Sequence, residues 1–144
     1  MVPIVIEEST SEVAARLWDA AERVVSSRLI YVEARAALSL AHRMGRLDAR
    51  SRREAVRSLD VLVADLDVVE VTDMLVRHAG MLAESQALGC YDAIHLASAK
   101  LVNDGEVVLV TGDQDLIEAA VNLGLGTANL HGASSSEQVN PANS

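Results

Sequence analysis

Glu106-Val107-Val108-Leu109-Val110-Thr111-Gly112-Asp113-Gln114-Asp115 is the stretch that decides the architecture. Glu106 to Val110, with its Val-Val-Leu-Val run, has the length and composition of a buried strand. Thr111-Gly112-Asp113 interrupts it with turn residues, and Leu116 to Leu123 then carries helical spacing until Gly124. Leu125 to Leu130 reads as a last short strand. Strands alternating with helices point to an α/β layer fold with a mainly parallel sheet flanked by helices. Ligands in such folds sit beyond the carboxyl ends of the strands, which draws attention to Thr111 through Asp115.

The alternation extends upstream. Met1 to Ile6 is apolar, either the end of an apolar segment or a short strand. Ser9, Thr10 and Ser11 offer caps, and Val13, Leu17, Ala20 and Ala21 recur at helical spacing, so a helix is expected over about 11–22. Arg23 to Ser26 contains a Val-Val pair that suits a brief buried strand. Ser26 and Ser27 are placed to cap a helix with an apolar stripe of Leu29, Val32, Ala36, Leu40 and Met44, stopping near Gly45. Asp48 caps a further helix to about Ala64, with Arg50, Arg52, Arg53 and Arg57 on its outer face. Leu66 to Val71 is a strand candidate, and Thr72 caps a helix through about Leu88. Gly89 breaks that helix, and another runs from Tyr91 to Val102 before Asn103-Asp104-Gly105. The composition turns to Ser, Asn, Pro and Gln from Gly132, so one domain is expected over 1–131 with a disordered tail over 132–144.

The bulk numbers fit one ordinary domain: 144 residues, half of them hydrophobic. With no Phe, one Trp and two Tyr, the core must be built from Val, Leu, Ala and Ile. The formal net charge of −9 argues against a general nucleic-acid coat protein, since phosphate binding leans on Lys and Arg. It argues less against a site in which carboxylates hold a divalent cation, because loading cancels their charge locally. Cys90 is the only cysteine, so no disulfide within the chain and no cysteine zinc pattern are available, which fits a reducing, cytoplasmic setting. No apolar run approaches the ~20 residues that cross a membrane, and no signal peptide is expected.

The chain carries no P-loop, no Gly-x-Gly-x-x-Gly after a strand, no Gly-x-Ser-x-Gly elbow and no His-Glu-x-x-His. The candidates are acidic residues on apolar ground. Glu33 lies among Ile30-Tyr31-Val32 and Ala34-Arg35-Ala36, Asp92 among Gly89-Cys90-Tyr91 and Ala93-Ile94-His95, and Asp113 in the strand-end turn with Asp115 two residues on. Charges in such surroundings are costly unless paired, hydrogen-bonded or metal-bound. Converging carboxylates would repel one another until a hard cation such as Mg²⁺ bound them. Each residue alone also has a plainer explanation. Asp92, Asp113 and Asp115 suit helix caps or first-turn anions, and Glu33 suits a solvated residue paired with an arginine. His95 reads as structural, Cys90 as a small buried hydrophobe, and the arginines at 50–57 as a solvated face or a contact for a phosphate backbone.

Together the segments resemble the PIN-domain ribonucleases of the VapC toxin type. Ser26-Ser27-Arg28-Leu29-Ile30-Tyr31-Val32-Glu33-Ala34 is similar to their second acidic motif. Gly89-Cys90-Tyr91-Asp92-Ala93-Ile94-His95-Leu96-Ala97 resembles the third, and Val108-Leu109-Val110-Thr111-Gly112-Asp113 the fourth. The likeness runs from Met1 to about Leu130. It implies a metal-dependent endoribonuclease using Mg²⁺ or Mn²⁺, the toxin of a toxin–antitoxin pair, held by a cognate antitoxin and forming a homodimer. Carried over, Glu33, Asp92 and Asp113 become catalytic, metal-coordinating carboxylates, Asp115 a weaker member of the same cluster, and Thr111 a residue that orients the site through its hydroxyl.

One departure accompanies the likeness. The family opens with a strand ending in Asp-x-Ser-Ala-Leu, and Met1 to Glu8 resembles the segment downstream of that motif. The first strand and first aspartate are therefore expected to be missing from this chain, which points to a start placed too far downstream. The alternative is a catalytically inactive PIN-fold protein that binds an antitoxin or RNA. Another Mg²⁺-dependent α/β phosphohydrolase is a third reading, and the absence of Asp-x-Asp after a first strand counts against it.

Overall fold

The structure, a computed structural model, describes Arg16, Asp19, Ala21 and residues 23–131. Apart from those first three residues, the helix expected over about 11–22 lies outside the described residues, as do the apolar start and the tail from 132. The expected loss of a first strand likewise concerns chain outside them.

The elements keep the expected alternation: β1 (Val25–Ser27), α1 (Ile30–Arg43), α2 (Ala49–Ala64), β2 (Asp67–Val69), α3 (Asp73–Gln86), α4 (Cys90–Val102), β3 (Val108–Thr111), α5 (Gln114–Asn122) and β4 (Gly126–Asn129). Pairing is parallel throughout. Val25 stands opposite Asp67 and Ser27 opposite Val69, while Val108 stands opposite Gly126 and Thr111 opposite Asn129. Parallel neighbours need a crossover, supplied by α1 and α2 for one pair and by α5 for the other. The parallel α/β character is as expected, but among the described residues the strands form two separate pairs rather than one ladder. Packing by α4 links them, since this helix touches α3, β1 and α5.

That central place explains the sequence of α4. Ala93, Ile94, His95, Leu96, Ala97 and Ser98 are all buried, a run with no solvent face. Leu96 and Ala97 are fully buried, and with Leu75, Ala79, Leu82, Leu109, Leu116, Ala120 and Leu125 they make the core. The alanines let helices approach closely, and the leucines fill the remaining volume. Truncating a side chain as enclosed as Leu96 costs about 2–5 kcal/mol.

The caps were readable from sequence. Asp48 Oδ1 accepts the Ser51 N–H at 2.7 Å, and Thr72 Oγ1 accepts the Leu75 N–H at 3.2 Å. Ser26 and Ser27 behave differently from the expected caps. Leu29 holds the cap position of α1, Ser27 Oγ accepts the Leu29 N–H at 3.1 Å, and Ser26 Oγ is buried with no partner. The ion pairs Arg23–Asp67 and Arg28–Glu70 clamp the two ends of β1 to β2.

The apolar stripe expected for α1 is corrected. Leu29 packs inward as expected, but Val32, Leu40 and Met44 are 60%, 47% and 61% exposed, and Ala36 is exposed too. The buried face carries Leu38 and Ala41 instead. The helix has apolar residues on two sides, and the side with smaller residues allows closer approach to its neighbours. Cys90 is also corrected: at the first position of α4 it is exposed rather than buried.

Candidate active site

Glu33, Asp92 and Asp115 each lie in the first turn of a helix, on α1, α4 and α5 respectively. Asp113 is the cap of α5, with Oδ1 accepting the Leu116 N–H at 3.1 Å. All four therefore occupy helix N-termini, where the macrodipole favours negative charge. The plain reading of Asp113 as a cap is correct, and it leaves Oδ2 uncommitted by that bond. Two residues earlier, at the end of β3, the buried Thr111 hydroxyl accepts the Asp113 N–H at 3.1 Å and so fixes the backbone that carries this carboxylate.

The charges of the other three carboxylates all reach Asp92. Burial pushes the Asp92 carboxyl above its ordinary range, and the charge of Asp113 pushes it further. His95 works in the opposite direction, while Glu33 and Asp115 add to the rise. Helix starts and the turn beyond β3 thus bring their carboxylates into a shared field. The grouping is one of charge rather than of tight packing: among the described residues, no three His, Cys, Asp or Glu side chains stand close enough to hold a metal ion between them.

One tie across this cluster was not legible in the sequence. The buried His95 ring lies on α4 one turn beyond Asp92, and its Nε2 stands 2.8 Å from Glu33 Oε2. A carboxylate only accepts, so Nε2 carries the hydrogen and donates. The expectation that His95 is structural holds in that it is buried, but its partner is a site candidate rather than a backbone group. The three-residue spacing from Asp92 places both on one helix face, and nothing in the spacing names Glu33 as the partner. The nearby Arg35 is engaged elsewhere, donating to the Tyr31 hydroxyl at 2.8 Å. In the arginine group of α2, Arg50 pairs with Glu54 at 3.1 Å.

Residues 1–122 match the PIN domain family. The chain belongs to the PIN-domain family. Within it, the chain is 39% identical over 115 residues to the Ribonuclease VapC45 of Mycobacterium tuberculosis strain CDC 1551, a match that spans 80% of each chain. It is 39% identical over the same length to the Ribonuclease VapC49 of strain H37Rv, again over 80% of each. These relatives put it with the VapC-type PIN proteins. No helix among the described residues is long and apolar enough to cross a membrane.

Proposed function

We propose that this PIN-domain chain is a metal-dependent endoribonuclease, the toxin of a toxin–antitoxin pair. The observation that carries the reading is that Asp113, Glu33 and Asp115, each at a helix start or strand end, all act through their charge on the partly buried Asp92. The likeness to two VapC ribonucleases supports the substrate class.

The donor set suits a hard divalent cation, Mg²⁺ or Mn²⁺. It is all oxygen, mutually repelling and partly desolvated at Asp92, so a cation relieves what burial and like charge impose. Mg²⁺ keeps several waters, so carboxylates that do not close into a tight triad can still reach it, some of them through those waters. Asp92 and Asp113 would hold it, with Glu33 and, more weakly, Asp115 completing the shell. The bound ion would offset charge on the scissile phosphate and make a bound water more acidic. The chain's own contributions are positional. Thr111 fixes the backbone of Asp113, the α5 cap fixes its Oδ1, and His95 occupies one oxygen of Glu33.

A cognate antitoxin and a homodimer belong to the same proposal, as does a cytoplasmic location consistent with a single free cysteine. The exposed apolar stripe of Val32, Ala36, Leu40 and Met44 is surface that a protein partner would cover. A second reading, a PIN fold that binds antitoxin or RNA without cutting, is favoured by the absence of a close ligand triad among the described residues. RNA cleavage by the purified chain decides between them. The nuclease reading expects cleavage that EDTA abolishes and Mg²⁺ or Mn²⁺ restores; binding of RNA without cleavage at any metal concentration overturns it.

A further inference from the structure

We propose that His95 is a positioning residue of the acidic site, holding Glu33 Oε2 through its Nε2–H so that Glu33 stays within the cluster with Oε1 free to act as a ligand. The inference rests on the metal-nuclease reading above.

The geometry carries it. The Nε2–Oε2 separation is 2.8 Å, and the two residues come from helices 62 positions apart in sequence. Left to itself, Glu33 has a long side chain, is only partly buried, and faces the like charge of Asp92. Repulsion and rotamer entropy would both swing it outward into water. The His95 ring opposes that swing from a rigid base. It is 4% exposed, and the next two residues of α4, Leu96 and Ala97, are fully buried, so the ring's position is set by the core. Asp92 lies one turn earlier on the same helix, so α4 carries one carboxylate of the site and the group that aims another. An imidazole or other donor behind a ligating carboxylate restricts its orientation, and removing such support costs about 10- to 100-fold in metal affinity or activity.

Three variants and one spectrum test this on the full chain with Mn²⁺ alone as the probe, its free-ion signal monitored by electron paramagnetic resonance. His95→Leu keeps the apolar packing and loses the donor; it is expected to weaken Mn²⁺ binding by about 10- to 100-fold. His95→Gln restores an N–H donor and is expected to recover part of that loss. His95→Leu added to Glu33→Gln is expected to weaken binding no further than Glu33→Gln alone. Should His95→Leu fail to fold, the ring nitrogens of the unmodified His95 answer the same question by ¹⁵N NMR. They are expected to report the Nε2–H form and to shift in Glu33→Gln. Asp92→Asn separates the two levels: if it loses Mn²⁺ while His95→Leu binds as the parent does, the positioning role is overturned and the metal site stands. If Asp92→Asn also binds as the parent does, the metal reading falls and the role of His95 with it.

Discussion

The imidazole of His131 occupies the space that a side chain on Gly112 would need: a Cβ there would collide with Nε2 and lie 2.8 Å from Cδ2. The seat is built by the β3–β4 register. Leu130 N–H donates to Thr111 O at 3.1 Å, and His131 N–H donates to Asn129 Oδ1 at 2.9 Å, which brings the end of β4 over the turn that carries Asp113. Gly112→Ala is therefore expected to destabilise the fold, at the low end of the roughly 1–3 kcal/mol of overpacking because an exposed ring can yield. In a His131→Ala background the same change is expected to be nearly neutral. Denaturant unfolding of the four proteins checks this; equal costs in both backgrounds would show that the ring is not what Gly112 accommodates.

At Asp92 the proposed metal-holding role opposes stability. Its folded carboxyl sits above the ordinary range, so the native state binds a proton more tightly than the unfolded chain does. Stability from this group is therefore fully present below the unfolded value and declines as pH rises through the raised folded value. Asp92→Asn is expected to remove that decline, raise Tm at neutral pH without metal, and cut RNA cleavage by on the order of 100-fold or more. Thermal melts from pH 4 to 8 measure the first part, and a variant less stable than its parent at pH 7 would contradict it.

Ala87 closes α3 in the left-handed region at φ 52°, where it is the only described residue other than glycine with positive φ. An L side chain there costs roughly 1–2 kcal/mol, whereas glycine costs only about 0.5–1 kcal/mol of extra unfolded-state entropy. Ala87→Gly is thus expected to stabilise by up to about 1 kcal/mol. Urea unfolding with an unchanged m-value is the measurement, and a lowered midpoint would count against strain at this position.

What could be read from sequence was local. Asp48 and Thr72 announce caps because a short polar side chain before a helical run bonds the orphan N–H groups of the first turn. Glu106 to Val110 announces a strand because an apolar run this short, bounded by turn residues, has few other uses. The acidic positions stand out because charge amid apolar neighbours needs a reason. What failed depended on distant chain. Both sides of α1 are apolar, and only its neighbours choose between Leu40 and Leu38. Exposure of Cys90 depends on how α4 enters the core, and the tie from His95 to Glu33 spans separate helices. The seat of His131 on Gly112 likewise depends on strand register, which no window of sequence contains.

The central claim is that Asp92 and Asp113 act as one metal-holding unit in RNA cleavage. The most direct test is the cleavage rate of Asp92→Asn, Asp113→Asn and the double variant on one RNA at saturating Mn²⁺, each checked for folding by circular dichroism. Groups that act as a unit are strongly non-additive. The account predicts that each single change removes most of the metal-dependent rate and that the double variant falls little further. Single variants that cleave at the parent rate, or losses that multiply in the double variant, would contradict it.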